Sequence, residues 1–250
     1  MMKMMRIIFL CSTLSLLFFT SCLEDIGNSQ TFPTDNAVIR YYPDFPGITF
    51  LCTAYGAVAA PDLERSNYKQ GDCLFVSFTI DYDNQPNSNY YSASKIKHEK
   101  IGKTSIVMLD AGSQNVADTI NKLSVDSIKT VGFTGAMYCI DNNLFMAFDQ
   151  IDAKIQNYDY QLVCSGSLNN EIPILYVCAK KSNISSATPF GDYRYQAFDL
   201  TPFLDQYAED NIFSFYLQYK IGVNSDNKNV YLSLEEETPI TLTNFRFSPN

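Results

Sequence analysis

The chain has no tryptophan and a single histidine, His98. One imidazole excludes a histidine pair and any metal site built on several histidines, and it confines a Ser-His-Asp triad to that one residue. His98 lies in Lys95-Ile96-Lys97-His98-Glu99-Lys100, a charged strand end where the ring is solvated and poorly placed to act as a base. No C-x-x-C pair occurs among the seven cysteines, so a zinc ribbon or finger is excluded as well. There is no G-x-S-x-G elbow, no P-loop and no Gly-x-Gly turn for a phosphate. Basic residues are scarce, 18 Lys and Arg against 27 Asp and Glu, and the acidic excess is spread along the chain. Nucleic acid is therefore excluded as a partner, because backbone affinity needs gathered positive charge. The sequence predicts no catalytic set, no metal and no cofactor.

Long apolar runs are also missing, apart from one at the N-terminus. Lys3 and Arg6 precede Ile7, Ile8, Phe9 and Leu10, then Leu14, Leu16, Leu17, Phe18 and Phe19. A run of about 13 residues is shorter than the roughly 20 a membrane-spanning helix needs, and it has the form of a signal peptide. It ends in Phe19-Thr20-Ser21-Cys22, which resembles the lipobox of bacterial lipoproteins. Small side chains before the cysteine admit the strand to a narrow peptidase site, and the Cys22 thiol supplies the nucleophile for a thioether to diacylglycerol. Two or three acyl chains, at about 0.8 kcal/mol per buried CH2, hold far more firmly than a single myristoyl chain. The expected partner of Cys22 is thus a membrane. Glu24 and Asp25 follow at once and resemble an acidic export signal that carries lipoproteins to the outside of the outer membrane. Loss of residues 1–21 removes Lys3 and Arg6 and no acid, moving the formal net charge from −9 to −11.

Cys11 leaves with the signal, so Cys52, Cys73, Cys139, Cys164 and Cys178 remain in the exported body. Disulfides persist in that compartment, yet five is odd and each residue sits in an apolar strand-like run. Buried thiols acting as small hydrophobes are expected, with any pairing left open.

With 17 Tyr and 18 Phe, the chain is rich in residues that build sheet cores. Apolar and polar residues alternate over short segments at 48–59, 73–81, 89–98, 104–109 and 130–139, and again at 143–151, 158–165, 172–180, 193–200, 212–221, 229–235 and 239–247. Val76, Phe78 and Ile80 share one face, as do Phe213, Phe215, Leu217 and Tyr219. One short helix is predicted near residues 201–210, with Thr201 as cap and Pro202 at its first position. The class is all-β: a small OB-like barrel over residues 41–130, then an antiparallel β-sandwich over 131–250, following a signal at 1–21 and a tether at 22–40. No flexible linker marks the junction, expected near 128–140.

The lipobox with its acids, Thr53-Ala54-Tyr55-Gly56, the stretch Tyr68-Lys69-Gln70-Gly71-Asp72-Cys73-Leu74-Phe75-Val76-Ser77-Phe78, and the C-terminal Pro239-Ile240-Thr241-Leu242-Thr243-Asn244-Phe245-Arg246-Phe247 together resemble the NigD-like lipoproteins. The resemblance implies an N-terminal OB-type domain and a C-terminal β-sandwich. It carries no catalytic signature and transfers no functional residue; an immunity role beside a bacteriocin has been suggested for one member.

Several residues remain as candidates. Asp118-Thr119-Ile120 and Asp126-Ser127-Ile128 resemble bacterial O-glycosylation sites, on Thr119 and Ser127. The loops 81–84 and 224–229 carry hard oxygen ligands but read as Asx-turns and not as calcium loops. Asp149 with Asp152, or Asp199 with Asp205, would be the carboxylates of a glycosidase, the least favoured reading. Tyr90, Tyr91, Tyr193 and Tyr195 offer rings to a sugar or protein ligand. The expectation is a non-catalytic, lipid-anchored binding or interaction module at the cell surface. A bacteriocin immunity-type protein is the alternative.

Overall fold

In a computed structural model, the described residues are 27–110, 116–134, 138–149, 157–183, 187–190, 193–235 and 238–247. The signal, Cys22, Glu24, Asp25 and Asp152 lie outside them.

Five strands make the first unit: β1 (Ser29–Arg40), β2 (Phe50–Thr53), β3 (Gly56–Ala59), β4 (Cys73–Asp81) and β5 (Ala93–Ser105). Their hydrogen-bonded order is β3-β2-β1-β4-β5, all antiparallel. The two outer strands meet in parallel at Ala59 and Ser92, where the Ala59 amide donates to the Tyr91 carbonyl at 2.8 Å. That closure makes a barrel of the OB type. Val76, Phe78 and Ile80 do point inward, with Phe32, Ile39, Leu51 and Leu74.

The strand β1 occupies much of the stretch expected as tether. Its sequence hides it, because Pro33 lacks an amide proton and Thr34, Asp35 and Asn36 read as a turn. A bulge between Phe32 and Asp35 lifts Pro33 and Thr34 out of the ladder, so the missing donor costs nothing. The tether thus ends before Ser29.

The chain leaves the barrel inside β5, ahead of the expected junction. Residues 93–101 of that strand pair with β4, while 102–105 pair in parallel with β13 (Tyr193–Asp199). The stretch 104–109 therefore contributes no barrel strand of its own. After β6 (Val107–Met108), a helix absent from the sequence reading, α1 (Val116–Leu123), lays Val116, Ile120 and Leu123 against Val163 and Cys178 of the second unit. Lys220 Nζ donates to the carbonyls of Ser124 and Val125 just past its C-terminus, at 3.2 and 2.8 Å. A cation there satisfies orphan carbonyls and opposes the helix dipole.

The second unit holds β7 (Thr130–Phe133), β8 (Tyr138–Ile140), β9 (Asn143–Asp149), β10 (Asn157–Asn169), β11 (Ile172–Ser182), β12 (Thr188–Phe190), β13, α2 (Thr201–Tyr207), β14 (Ile212–Val223), β15 (Asn229–Ser233) and β16 (Ile240–Phe245). One sheet contains β7, β8, β9, β13 and β16; the other contains β6, β10, β11 and β15. The strand β14 joins them, pairing first with β16 and then in parallel with β11. Between the sheets lie Met146, Phe148, Tyr160, Leu162, Phe198, Phe203 and Phe215. Phe148 stacks on Tyr160 with centroids 4.0 Å apart. The cap of α2 differs from expectation. Leu200 is the capping residue, and Asp199 Oδ1 takes both the amide and the hydroxyl of Thr201, at 2.9 and 2.6 Å.

The barrel packs on the outer face of the first sheet as a third layer. Val38, Cys52, Cys73 and Phe75 meet Tyr138, Ile140, Phe145 and Ala197 there. This explains why Cys73-Leu74-Phe75-Val76 is continuously apolar. Alternate residues face the barrel interior and the sandwich, so neither face of the strand meets water.

Candidate functional site

A row of polar contacts ties β1 to the sandwich alongside the apolar layer. Tyr138 donates its hydroxyl to Asp35 Oδ1 at 2.8 Å. Asn36 donates to the Thr134 carbonyl and accepts from its hydroxyl, at 2.8 and 3.1 Å. Arg40 pairs with Asp141, and Tyr42 donates to the Phe247 carbonyl at 2.6 Å. Burial pushes the Asp35 carboxyl above its ordinary value, against the hydrogen bonds from Tyr138 and the Asn36 amide. Its Oδ2 is buried with no hydrogen-bond partner among the described residues.

Where this seam opens, a cleft of about 530 Å³ lies between barrel and sandwich. The barrel supplies Thr34 from the β1 bulge and Phe75 from β4; the sandwich supplies Thr130, Gly132, Phe133, Thr134, Ala147, Tyr193 and Tyr195. Strand register explains the hollow. Gly132, Ala147 and Tyr195 lie side by side across β7, β9 and β13, and Thr130, Asp149 and Tyr193 form the next row. Directly paired residues share a face, so the first row puts two minimal side chains where the barrel would otherwise be met. A Cβ added to Gly132 would touch nothing within 4 Å. Strand spacing makes the floor about 10 Å wide, and two residues along a strand make it about 7 Å long. Phe75 closes one end edge-on to Tyr195, with centroids 4.7 Å apart, and Tyr193 stands beside Tyr195 at 6.3 Å with 46% of its surface exposed. Among the described residues no side chain lining the cleft is acidic or basic.

Of the residues read from the sequence, Tyr193 and Tyr195 are thus brought into the cleft, while Arg194 between them is buried on the opposite face. Tyr90 is used differently, packing edge-on against Phe45 and Phe50. Tyr91 is exposed beside Tyr82 on the barrel. Asp149 is paired to Lys129, Asp199 is engaged with Thr201, and Asp205 is exposed on α2. Both loops with hard oxygen ligands spend them on their own chain. Asp81 takes the amides of Asp83 and Asn84 and the Asn84 side chain, and Asn224 takes those of Asp226 and Lys228. Those hydrogen bonds, led by the one from the Asn84 side chain, hold the Asp81 carboxyl below its usual value. Among the described residues no group of three or more His, Cys, Asp or Glu is placed to hold a metal. His98 stands on β5 with the Tyr68 hydroxyl 3.0 Å from Nδ1. Thr119 lies half-buried on α1, and Ser127 half-buried beyond it, next to Asp126, which accepts the Lys181 amide at 2.7 Å. The five body cysteines are all buried and free.

A family model described as a lipoprotein OB domain matches residues 27–96. That stretch begins just before β1 and ends within β5, so the barrel is similar to the OB domains of lipoproteins. An uncharacterized protein of Parabacteroides merdae, 14% identical, superposes with a TM-score of 0.54 over 85% of this chain and 99% of that one. The likeness is one of fold and extends through both units. A protein of Parabacteroides distasonis named as toxin-related covers 83% of this chain and 95% of its own, at 15% identity and a TM-score of 0.49. No curated protein matches. Among the described residues no helix is long and apolar enough to cross a membrane.

Proposed function

We propose that this chain is a non-catalytic, NigD-like lipoprotein of the outer membrane, acylated on Cys22 and displayed at the cell surface, whose barrel and sandwich form a ligand-binding module. The lipoprotein OB-domain match and the lipobox before Cys22 support the anchor. The acids Glu24 and Asp25 favour surface display.

The observation that carries the binding role is the cleft. It is concave and lined by rings and hydroxyls, with no carboxylate, imidazole, lysine or thiol among the described residues of its wall. Pockets of roughly 300–1,000 Å³ with aromatic walls and a few polar groups suit small-molecule or oligomer ligands. Such a wall suits holding a ligand better than reacting with it, since acid–base and nucleophilic steps need titrating groups at hand.

The test uses a soluble form beginning at residue 23, offered glycan and peptide arrays. A ligand retained by the wild type and lost by Tyr193→Ala supports the reading. Retention unchanged by Tyr193→Ala moves the site off the cleft, and no retained ligand counts against a binding module. In the full chain, Cys22→Ala should abolish membrane association; a variant that stays membrane-bound overturns the anchor.

A further inference from the structure

We infer that the cleft takes an uncharged saccharide, with a sugar ring lying against Tyr193 and Tyr195 over the floor of Gly132 and Ala147. This rests on the cleft being the binding site, as proposed above, and adds the chemical class of its occupant.

Three observations converge on it. The first is charge. Among the described residues no Asp, Glu, Lys, Arg or His lines the cleft, and Asp149, in its next row, is paired to Lys129. The chain as a whole carries a formal −9. An anionic ligand would meet no cation among the described lining residues and a repulsive field outside them, and a cationic ligand would find the neighbouring Asp149 carboxylate already held by Lys129. The second is shape. The floor is a flat patch of sheet left bare by two small residues, flanked by rings at Phe75, Tyr193 and Tyr195. A pyranose presents a flat face of C–H groups that packs on aromatic carbon. The third is the polar complement. Thr34 and Thr130 bring hydroxyls to the walls, while the Thr134 hydroxyl is committed to Asn36. A hydroxyl both donates and accepts, which matches the sugar edge, whose groups do the same. An acyl chain would gain nothing from these hydroxyls, and a charged peptide would leave its side chains unpaired.

The wall is built to hold its form without the ligand. β5 belongs to both units, and the Asn36–Thr134 and Asp35–Tyr138 contacts fasten the barrel side to the sandwich side at the cleft's edge. A preformed site keeps the ordering cost of binding low.

Isothermal titration of the soluble form separates the outcomes. The probes are neutral oligosaccharides (cello-, malto-, xylo- and mannohexaose), an acidic one (hexagalacturonate), and a Tyr-rich neutral peptide. At least one neutral oligosaccharide should bind, with affinity unchanged across a tenfold rise in salt. Tyr193→Ala should weaken it about tenfold or more, the effect of losing one stacked ring, while Tyr193→Phe should retain most of it. Gly132→Val fills the floor from a position with open space above it, and should abolish binding while leaving the thermal transition in place. Binding of hexagalacturonate or of the peptide alone, lost in Tyr193→Ala, would overturn the saccharide class but keep the cleft as a binding site. Neutral-sugar binding indifferent to both Tyr193→Ala and Gly132→Val overturns the placement. No binding of any probe, together with none on the arrays, overturns both this inference and the binding module.

Discussion

The five free thiols among the described residues make a sharp test of the packing. A thiol must first ionise to attack a disulfide reagent. Burial pushes Cys52 and Cys73 up to about 12 and Cys178 up to about 11, from an ordinary 9.0. Burial raises Cys139 and Cys164 as well. At pH 8 a thiol titrating at 9.0 is about one-tenth thiolate, whereas one at about 12 is about one part in ten thousand, a loss of about a thousandfold. Contact is blocked too, since Cys52, Cys139 and Cys164 show no exposed surface at all. The reagent must therefore wait for the structure to open. With 5,5′-dithiobis(2-nitrobenzoate), the soluble form beginning at residue 23 should release almost no thionitrobenzoate while folded. In concentrated guanidinium without reductant, it should release five equivalents. A count of three or one in denaturant would mean that disulfides form, and a rapid equivalent from the folded protein would mean that a layer described as closed is open. Either result refutes the packing argument.

Two further outcomes follow from the core and the seam. Phe148→Ala removes a fully buried ring stacked on Tyr160, and should cost about 3–5 kcal/mol; urea unfolding followed by circular dichroism should show the midpoint falling by about 1–2 M, and an unchanged midpoint would deny the ring its place between the sheets. For Asp35, burial is the largest influence and raises its pKa above the ordinary 3.8, so the folded state binds the proton more tightly than the unfolded one. Its contribution is fully present below pH 3.8 and is lost as pH rises through the raised value. The melting temperature of Asp35→Asn relative to wild type should thus climb as pH is raised from about 4 to 7, and a flat or falling difference would contradict the sign.

Most sandwich strands are legible in the sequence because one face of each meets an apolar core and the other does not. Phe213, Phe215, Leu217 and Tyr219 declare that alternation, and all four enter the core. Alternation fails where both faces are covered or where a bulge shifts the phase. Cys73 to Val76 shows the first case and β1 the second, with Pro33 and Thr34 interrupting the pattern at the register shift. The helix α1 is not legible in the sequence because only Val116, Ile120 and Leu123 of its short span pack against the sandwich. Of the cleft, Tyr193 and Tyr195 are legible, two apart on one strand face. The rest is not, because Phe75 and Thr34 come from strands more than a hundred residues before that pair in the chain. The hollow itself depends on Gly132 and Ala147, whose smallness signals nothing until register sets them side by side.

The early start of β1 also has a mechanical meaning for an anchored chain. Were Cys22 acylated, six residues would separate it from Ser29, and the seven steps from Cys22 to Ser29, at no more than about 3.6 Å each, would span at most about 25 Å. The barrel would then be held on a short leash beside the headgroups. Any ligand the cleft accepts would be captured within a few nanometres of the bilayer, a reach suited to molecules arriving at the membrane and not to those projecting far from it.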